Sequence, residues 1–222
     1  MNNTNFKTYA DKNTQAKELA SVVANELQIT LQNQDHALLA VAGGTTPLLF
    51  LQHLSAEKLA WEKVTIIATD ERQVPTNSSD SNTKLITDNL LQNEAKEAIF
   101  IAFYDGASLA QVQERLAPLL PLCVCVVGMG EDKHTASLFP DCADIGLADN
   151  APILLEVLTA NSPLARISLS ARVLRDCQYK HLLITGEGKQ RALEEAYQEL
   201  DKTKAPIKII LDDPNALVHF TN

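Results

Sequence analysis

Four short apolar runs, each ending in glycine or in charge, constrain this chain more than any other feature. They are HALLAVA (36–42), VTIIAT (64–69), PLCVCVV (121–127) and HLLIT (181–185). A strand that is apolar along its whole length is buried on both faces, which is the condition of a parallel sheet covered by helices. Helix-like segments separate the runs. Residues 14–31 put Ala16, Leu19, Val23 and Leu27 on one face at helical spacing. TPLLFLQHL, SNTKLITDNLL, SLAQVQERLAPLL and KQRALEEAYQEL follow as further helices. AIFIAF and PIKIILDD read as additional strands, and ISLSARVL as a strand passing into a helix. The stretch ILLEVLTANSPLARISLS leaves room for an antiparallel addition. The expectation is an α/β, Rossmann-like fold, a mostly parallel sheet with helices on both faces. No repeat, low-complexity segment or linker divides residues 1–222, so one domain is expected.

Charge and cysteine usage narrow the function classes. A net charge of −9 disfavours a broad nucleic-acid surface, although a locally basic pocket can still take a small anion. No apolar run approaches the roughly 20 residues of a membrane span, and no basic segment with an apolar core opens the chain. A cytoplasmic protein without membrane association is therefore expected, and nothing marks an obligate protein partner. Cys123 and Cys125 alternate with valines, while Cys142 and Cys177 stand alone. The expectation is four structural thiols and no metal site.

The strand ends carry the chemistry. HALLAVA ends at Gly43-Gly44-Thr45-Thr46-Pro47, VTIIAT at Asp70-Glu71-Arg72, PLCVCVV at Gly128 ahead of His134, and HLLIT at Gly186 ahead of Lys189. Ligands of open α/β sheets bind beyond the carboxyl ends of the strands, so these loops are expected to line one crevice. In GGTTP, glycines permit close backbone approach, Thr46 suits a helix cap and Pro47 a first helical position. N–H groups of Gly44, Thr45 and Thr46 would then face an anion; a plain strand-to-helix turn reads equally well.

Lys189 near a helix start meets a macrodipole that disfavours a cation by roughly 0.3–1 kcal/mol, a sign that a bound phosphate reverses. Its bland alternative is a solvated lysine. Arg72 suits two-pronged phosphate binding, or an ordinary ion pair with Asp70 or Glu71. Arg166 alone reads as surface charge. His134 stands either as a proton acceptor near neutrality or as a packing and capping residue, ahead of Thr135-Ala136-Ser137, which suit a helix start.

In this order GGTTP, TDERQVPTNSSDSN, GMGEDKHTASLFP, ARISLSARVL and TGEGK resemble the 6-phosphogluconolactonase family, within the superfamily shared with glucosamine-6-phosphate deaminases. The resemblance runs from His36 to the C-terminus, and DER-x-VP followed by SN, with HTASLFP, are its specific parts. It implies hydrolysis of 6-phospho-D-glucono-1,5-lactone to 6-phosphogluconate in the oxidative pentose phosphate pathway, without metal or organic cofactor. The implied partner is a small phosphorylated sugar lactone. His134 becomes the general base on water, and a backbone N–H after Gly128 the donor to the developing oxyanion. Arg72, Lys189 and residues 43–46 become the phosphate site, with Arg166 a possible addition. Asp70 and Asp132 match acidic positions of the family; either can orient His134 or a sugar hydroxyl.

One departure stands out. The family reads D-G-H where this chain has Asp132-Lys133-His134. If that position needs φ > 0, lysine there costs roughly 1–2 kcal/mol. The expectation is an ordinary φ with Lys133 in solvent; the alternative is a lysine charge beside the lactone that disfavours imidazolium at His134. Two rival functions remain. A sugar-phosphate deaminase/isomerase resembles G-H-I-A-F-N-E-P at this loop, and the Asn-Glu pair is missing here. A non-catalytic sugar-phosphate sensor commonly carries a helix-turn-helix segment, for which the short N-terminal region has no match.

Overall fold

The structure, a computed structural model, describes residues 5–140, 142, 144–159 and 162–222. The chain begins with β1 (Phe6–Thr8), α1 (Lys12–Asn33), β2 (Ala37–Val41), α2 (Leu48–Ser55), β3 (Val64–Ala68) and β4 (Asp70–Arg72). It continues through α3 (Asn82–Asn89), β5 (Ile99–Phe100), α4 (Leu109–Leu116), β6 (Val124–Val127), β7 (Leu154–Thr159) and β8 (Ser162–Leu169). It closes with α5 (Ala171–Arg175), β9 (Tyr179–Thr185), α6 (Glu187–Gln198), α7 (Lys208–Leu211) and β10 (Leu217–Thr221).

Among the described residues, seven strands form a parallel sheet in the order β1-β10-β9-β6-β2-β3-β5. Because side chains alternate across a strand, each run feeds two cores. Leu38 and Ala40 join Cys125, Val127, Leu182 and Ile184 beneath α4, α6 and α7. Leu39 and Val41 join Ile66, Val124 and Val126 beneath α1 and α2. This is the doubly covered α/β architecture that the uninterrupted apolar runs require.

Helix α1 shows how the local pattern becomes packing. Asp11 accepts the Thr14 N–H at 2.9 Å and caps the start. Leu19, Val23 and Leu27, fully buried, then lie on the sheet. Each such side chain contributes roughly 1.5–3 kcal/mol of burial.

From β2 the chain moves outward through β3 and β5, then returns to lay β6, β9 and β10 on the other side of β2. The strand order therefore reverses between β2 and β6, where the loops after these two strands diverge and leave a crevice. A second sheet, ordered β4-β8-β7, is antiparallel. The antiparallel addition expected in 153–170 is thus present, and its third strand is the Asp70-Glu71-Arg72 segment itself. The register places Arg72 opposite Arg166 and Asp70 opposite Ser168.

The run PIKIILDD is not a strand. It contains α7, whose Ile209 and Ile210 are buried and whose Lys208 reaches Asp212 at i,i+4 and 2.8 Å. A short apolar run does not distinguish a buried helical turn from a strand by periodicity. The position beside β9 is taken instead by β10, which pairs with β9 from Leu217 to Thr221, and β1 pairs with β10's other edge.

Candidate active site

At the β2–β6 switch point lies a cleft of about 200 Å³, lined by the loops after β2, β3, β6 and β9 and by β8. Gly43, Gly44, Thr45, Thr46, Asp70, Arg72, His134, Arg166 and Lys189 all line it. Asp132, the remaining residue expected there, is absent from the lining and stands behind His134.

The loop after β2 is a glycine turn whose two glycines do different things. Gly44 has φ +90°, a conformation that side chains rarely adopt. Gly43 is constrained by proximity: a Cβ there would lie 1.9 Å from Oδ1 of Asn82. Thr46 does not cap the following helix. Helix α2 begins at Leu48 with Pro47 in the cap position and no side-chain cap bond. The turn is closed by backbone instead, with the Leu51 N–H donating to the Pro47 carbonyl at 2.9 Å.

Glu71 turns away from Asp70 and Arg72, its neighbours on β4, because successive strand residues face opposite ways, and of the three only Asp70 and Arg72 line the cleft. Glu71 is buried and accepts the N–H groups of Arg72 (2.8 Å), Asn82 (2.7 Å) and Thr83 (2.7 Å) and the Ser81 hydroxyl (3.1 Å). Its charge sits on the start of α3, where orphan donors and the helix dipole favour an anion. Asp70 is also buried, accepting the Ser137 hydroxyl at 2.5 Å and lying 3.7 Å from the Arg166 guanidinium. The Arg72 guanidinium pairs with neither carboxylate. Its Nη1 donates to Oδ1 of Asn82 at 2.9 Å and to the Asp80 carbonyl at 3.1 Å.

His134 is held by Asp132: Nδ1 lies 2.6 Å from the carboxylate Oδ1, which also accepts the His134 backbone N–H at 3.2 Å. The two residues crowd Gly130, where a Cβ would lie 2.1 Å from Nδ1 of His134 and 2.2 Å from Oδ1 of Asp132. Neutral imidazole that donates Nδ1–H to a carboxylate carries its lone pair on Nε2. Phe139 packs against the imidazole at a tilt of 37°, with ring centroids 4.6 Å apart, and the Arg166 guanidinium lies 5.7 Å over the Phe139 ring. Burial, opposed by the pull of Asp70 and aided by Arg72, lowers the pKa of Arg166.

Two local expectations fail in this loop. Residues 135–137 form a tight turn in place of a helix start, with Ala136 at φ +50° and the Thr135 hydroxyl donating to the Gly128 carbonyl at 2.9 Å. Lys133 does not take an ordinary φ. It stands at +71°, the left-handed region that favours glycine. Backbone bonds on both sides impose that conformation: Lys133 N–H donates to the Gly130 carbonyl at 3.0 Å, and Ile207 N–H to the Lys133 carbonyl at 3.1 Å. The ammonium pairs with Glu195 of α6 at 3.2 Å, so its charge is engaged away from the imidazole.

Lys189 lies in the first turn of α6, which Gly186 opens with φ +87°. Arg72, Arg166 and Lys189 therefore bring three cations to a cleft of a strongly acidic chain, which the glycine loop after β2 also lines. The sequence alone assigned no site role to Asn82 or Gly130, which line the cleft, or to Ser137 and Phe139, which contact Asp70 and His134. All four lie inside the segments TDERQVPTNSSDSN and GMGEDKHTASLFP. Their presence in such segments was the available signal; the partners of Asn82 and Ser137 are ten or more residues away, whereas Gly130 and Phe139 meet His134 within the same segment.

The chain is similar to known proteins along nearly its whole length. The family of glucosamine-6-phosphate isomerases/6-phosphogluconolactonase matches residues 10–219. A 6-phosphogluconolactonase of Pseudomonas aeruginosa is 37% identical over 209 residues, covering 90% of this chain and 88% of the relative. One from Mesorhizobium japonicum is 39% identical over 218 residues, covering 94% and 90%. The crystal structure of a 6-phosphogluconolactonase from Shewanella baltica superposes with a TM-score of 0.92 at 30% identity, covering 98% of this chain and 97% of that one.

Proposed function

The chain belongs to the glucosamine-6-phosphate isomerase/6-phosphogluconolactonase family, and from that premise we propose that it hydrolyses 6-phospho-D-glucono-1,5-lactone to 6-phosphogluconate with His134 as the base. The observation that carries the reading is the Asp132–His134 pair, whose imidazole lines the same cleft as the glycine loop and Arg72. The substrate is already an activated ester, so a positioned water suffices and no covalent nucleophile is needed. Nε2 of His134 takes a proton from that water as its oxygen bonds to C1. The tetrahedral intermediate then collapses, the C1–O5 bond breaks, and the imidazolium returns the proton to the departing ring oxygen. Asp132 holds the ring in the tautomer this requires and stabilises the imidazolium while it lasts.

The phosphate is anchored at the far side of the cleft by Arg72, Lys189 and amides of residues 43–46, with Arg166 beside them. Asp70 is a framework residue in this reading, since Ser137, Asn82 and Arg166 already engage it. A cytoplasmic location suits four free thiols, three of them buried.

The test follows loss of freshly prepared 6-phosphogluconolactone, corrected for spontaneous hydrolysis. The purified protein should accelerate it, and His134→Ala should lower kcat by about 10²–10⁴-fold, the contribution of one general base. No acceleration would sink the reaction; full activity in His134→Ala would sink the base.

A further inference from the structure

We propose that Asn82 is the positioning residue for phosphate recognition, a neutral amide that aims Arg72 at the glycine loop while leaving its charge intact. The inference rests on the phosphate site described above and adds a component to it. Asn82 is 1% exposed, at the first position of α3, and every polar atom of its side chain is used. Oδ1 accepts from Nη1 of Arg72 at 2.9 Å. Nδ2 donates to the Asp70 carbonyl at 2.7 Å, with Oδ1 of Asp70 at 3.4 Å. The backbone N–H is fixed by Glu71 at 2.7 Å. The amide therefore has a single orientation, because the donor side faces a carbonyl and the acceptor side faces a guanidinium.

The same amide lies against Gly43. Its Oδ1 occupies the place of a Cβ at that position, which accounts for glycine there without any positive φ. Asn82 thus touches both halves of the anion site, the loop that offers amides and the arginine that offers charge. The other acceptor on Nη1 of Arg72 is the Asp80 carbonyl, also neutral. Among the described residues no carboxylate lies within ion-pair distance of Arg72, although Asp70 and Glu71 are its neighbours in sequence. Both are engaged elsewhere, Glu71 by the α3 amides and Asp70 by Ser137 and Arg166. A guanidinium held by neutral acceptors keeps its full attraction for a phosphate, whereas one held by a carboxylate gives much of it up.

Position 82 is therefore selective for an amide over the nearly isosteric acid. Asn82→Asp puts a carboxylate on Arg72 and turns an oxygen toward the Asp70 carbonyl. Asn82→Ala leaves Arg72 charged but unaimed. The experiment measures steady-state kinetics with 6-phosphogluconolactone and calorimetric binding of inorganic phosphate, for wild type, Asn82→Asp, Asn82→Ala, Arg72→Ala and Arg72→Ala/Asn82→Asp. Asn82→Asp should raise KM by about tenfold or more with kcat within about threefold, and weaken phosphate by a similar factor. Asn82→Ala should do the same more mildly. In the Arg72→Ala background Asn82→Asp should add less than about threefold, because its target is gone.

Equal losses from Asn82→Asp with and without Arg72 would overturn the proposal, as would a fall in kcat at constant KM. So would phosphate binding in wild type that both Asn82 variants leave unchanged, or no phosphate binding at all. If wild type binds phosphate in an Asn82-dependent way yet hydrolyses no lactone, the reaction assignment fails and this one stands.

Discussion

The carboxylate of Asp132 stands 2.6 Å from Nδ1 of His134 and 3.2 Å from that residue's own backbone N–H, so one oxygen sets both the ring and the chain that carries it. Asp70, the other acidic residue expected near the histidine, has its carboxylate on Ser137 and Arg166. The two carboxylates belong to different tasks.

Asp132→Asn tests the first. An asparagine can turn its NH₂ toward Nδ1, which moves the ring proton to Nε2 and removes the base. The expected result is a fall in kcat on the order of 10–100-fold with KM little changed, since the residues proposed to hold the phosphate are untouched. Unchanged kcat would show that Asp132 merely packs the loop.

Gly130→Ala tests the loop itself. The new Cβ would fall 2.1 Å from Nδ1 of His134, and both the ring and Asp132 must move to admit it. The expected loss of kcat is again on the order of 10–100-fold, by displacement of the base with no change to any titrating group. Placed on His134→Ala, the same substitution should add almost nothing, because the group it displaces is absent. Multiplying losses would mean that Gly130 acts on something other than the histidine.

A pH prediction comes from a different part of the molecule. Between α1 and the sheet, Tyr9 bonds Nδ1 of His219 at 2.7 Å, His219 reaches His181 at 3.1 Å, and His181 reaches Glu26 at 2.7 Å. Burial, with His181 and Lys7 adding repulsion, holds the pKa of His219 down to about 3. The unfolded chain, with an ordinary histidine near 6.5, binds one more proton between about pH 6.5 and 3. Stability is therefore present in full above the unfolded value and falls as pH drops through that window, by about 1.4 kcal/mol per pH unit for this group. Urea unfolding at pH 7.5 and 4.5 checks it. His219→Gln should be less stable than wild type at pH 7.5, yet its own drop between the two pH values should be smaller by roughly 2–3 kcal/mol. Identical drops would place the acid sensitivity elsewhere.

Much of this protein was legible along the chain, wherever a property depends on neighbours a few residues apart. Largely apolar runs such as Ala37–Val41 and Val64–Ala68 bury both faces, the pattern of a parallel sheet between helix layers. Glycine and charge at the ends of those runs then mark the crevice, because a parallel sheet places all its carboxyl ends on one edge. Residues 43–46, Arg72, His134 and Lys189 meet there for that reason.

Tertiary structure decided what local spacing leaves degenerate. PIKIILDD is apolar enough for a strand or a helical turn, and β10's pairing with β9 settled it as a turn. Lys133 accepts φ +71° because Gly130 and Ile207, the latter 74 positions away, bond its two backbone groups. Asp70 and Asp132 are alike as letters; Asp132 has His134 two residues away, whereas only the chain's path brings Ser137 to Asp70. Arg72 follows Glu71 directly yet rests on Asn82, ten residues on, since a strand sends adjacent side chains to opposite faces. Backbone periodicity is a short-range property and survives in the sequence, whereas the partner of a charge is set by distance in space.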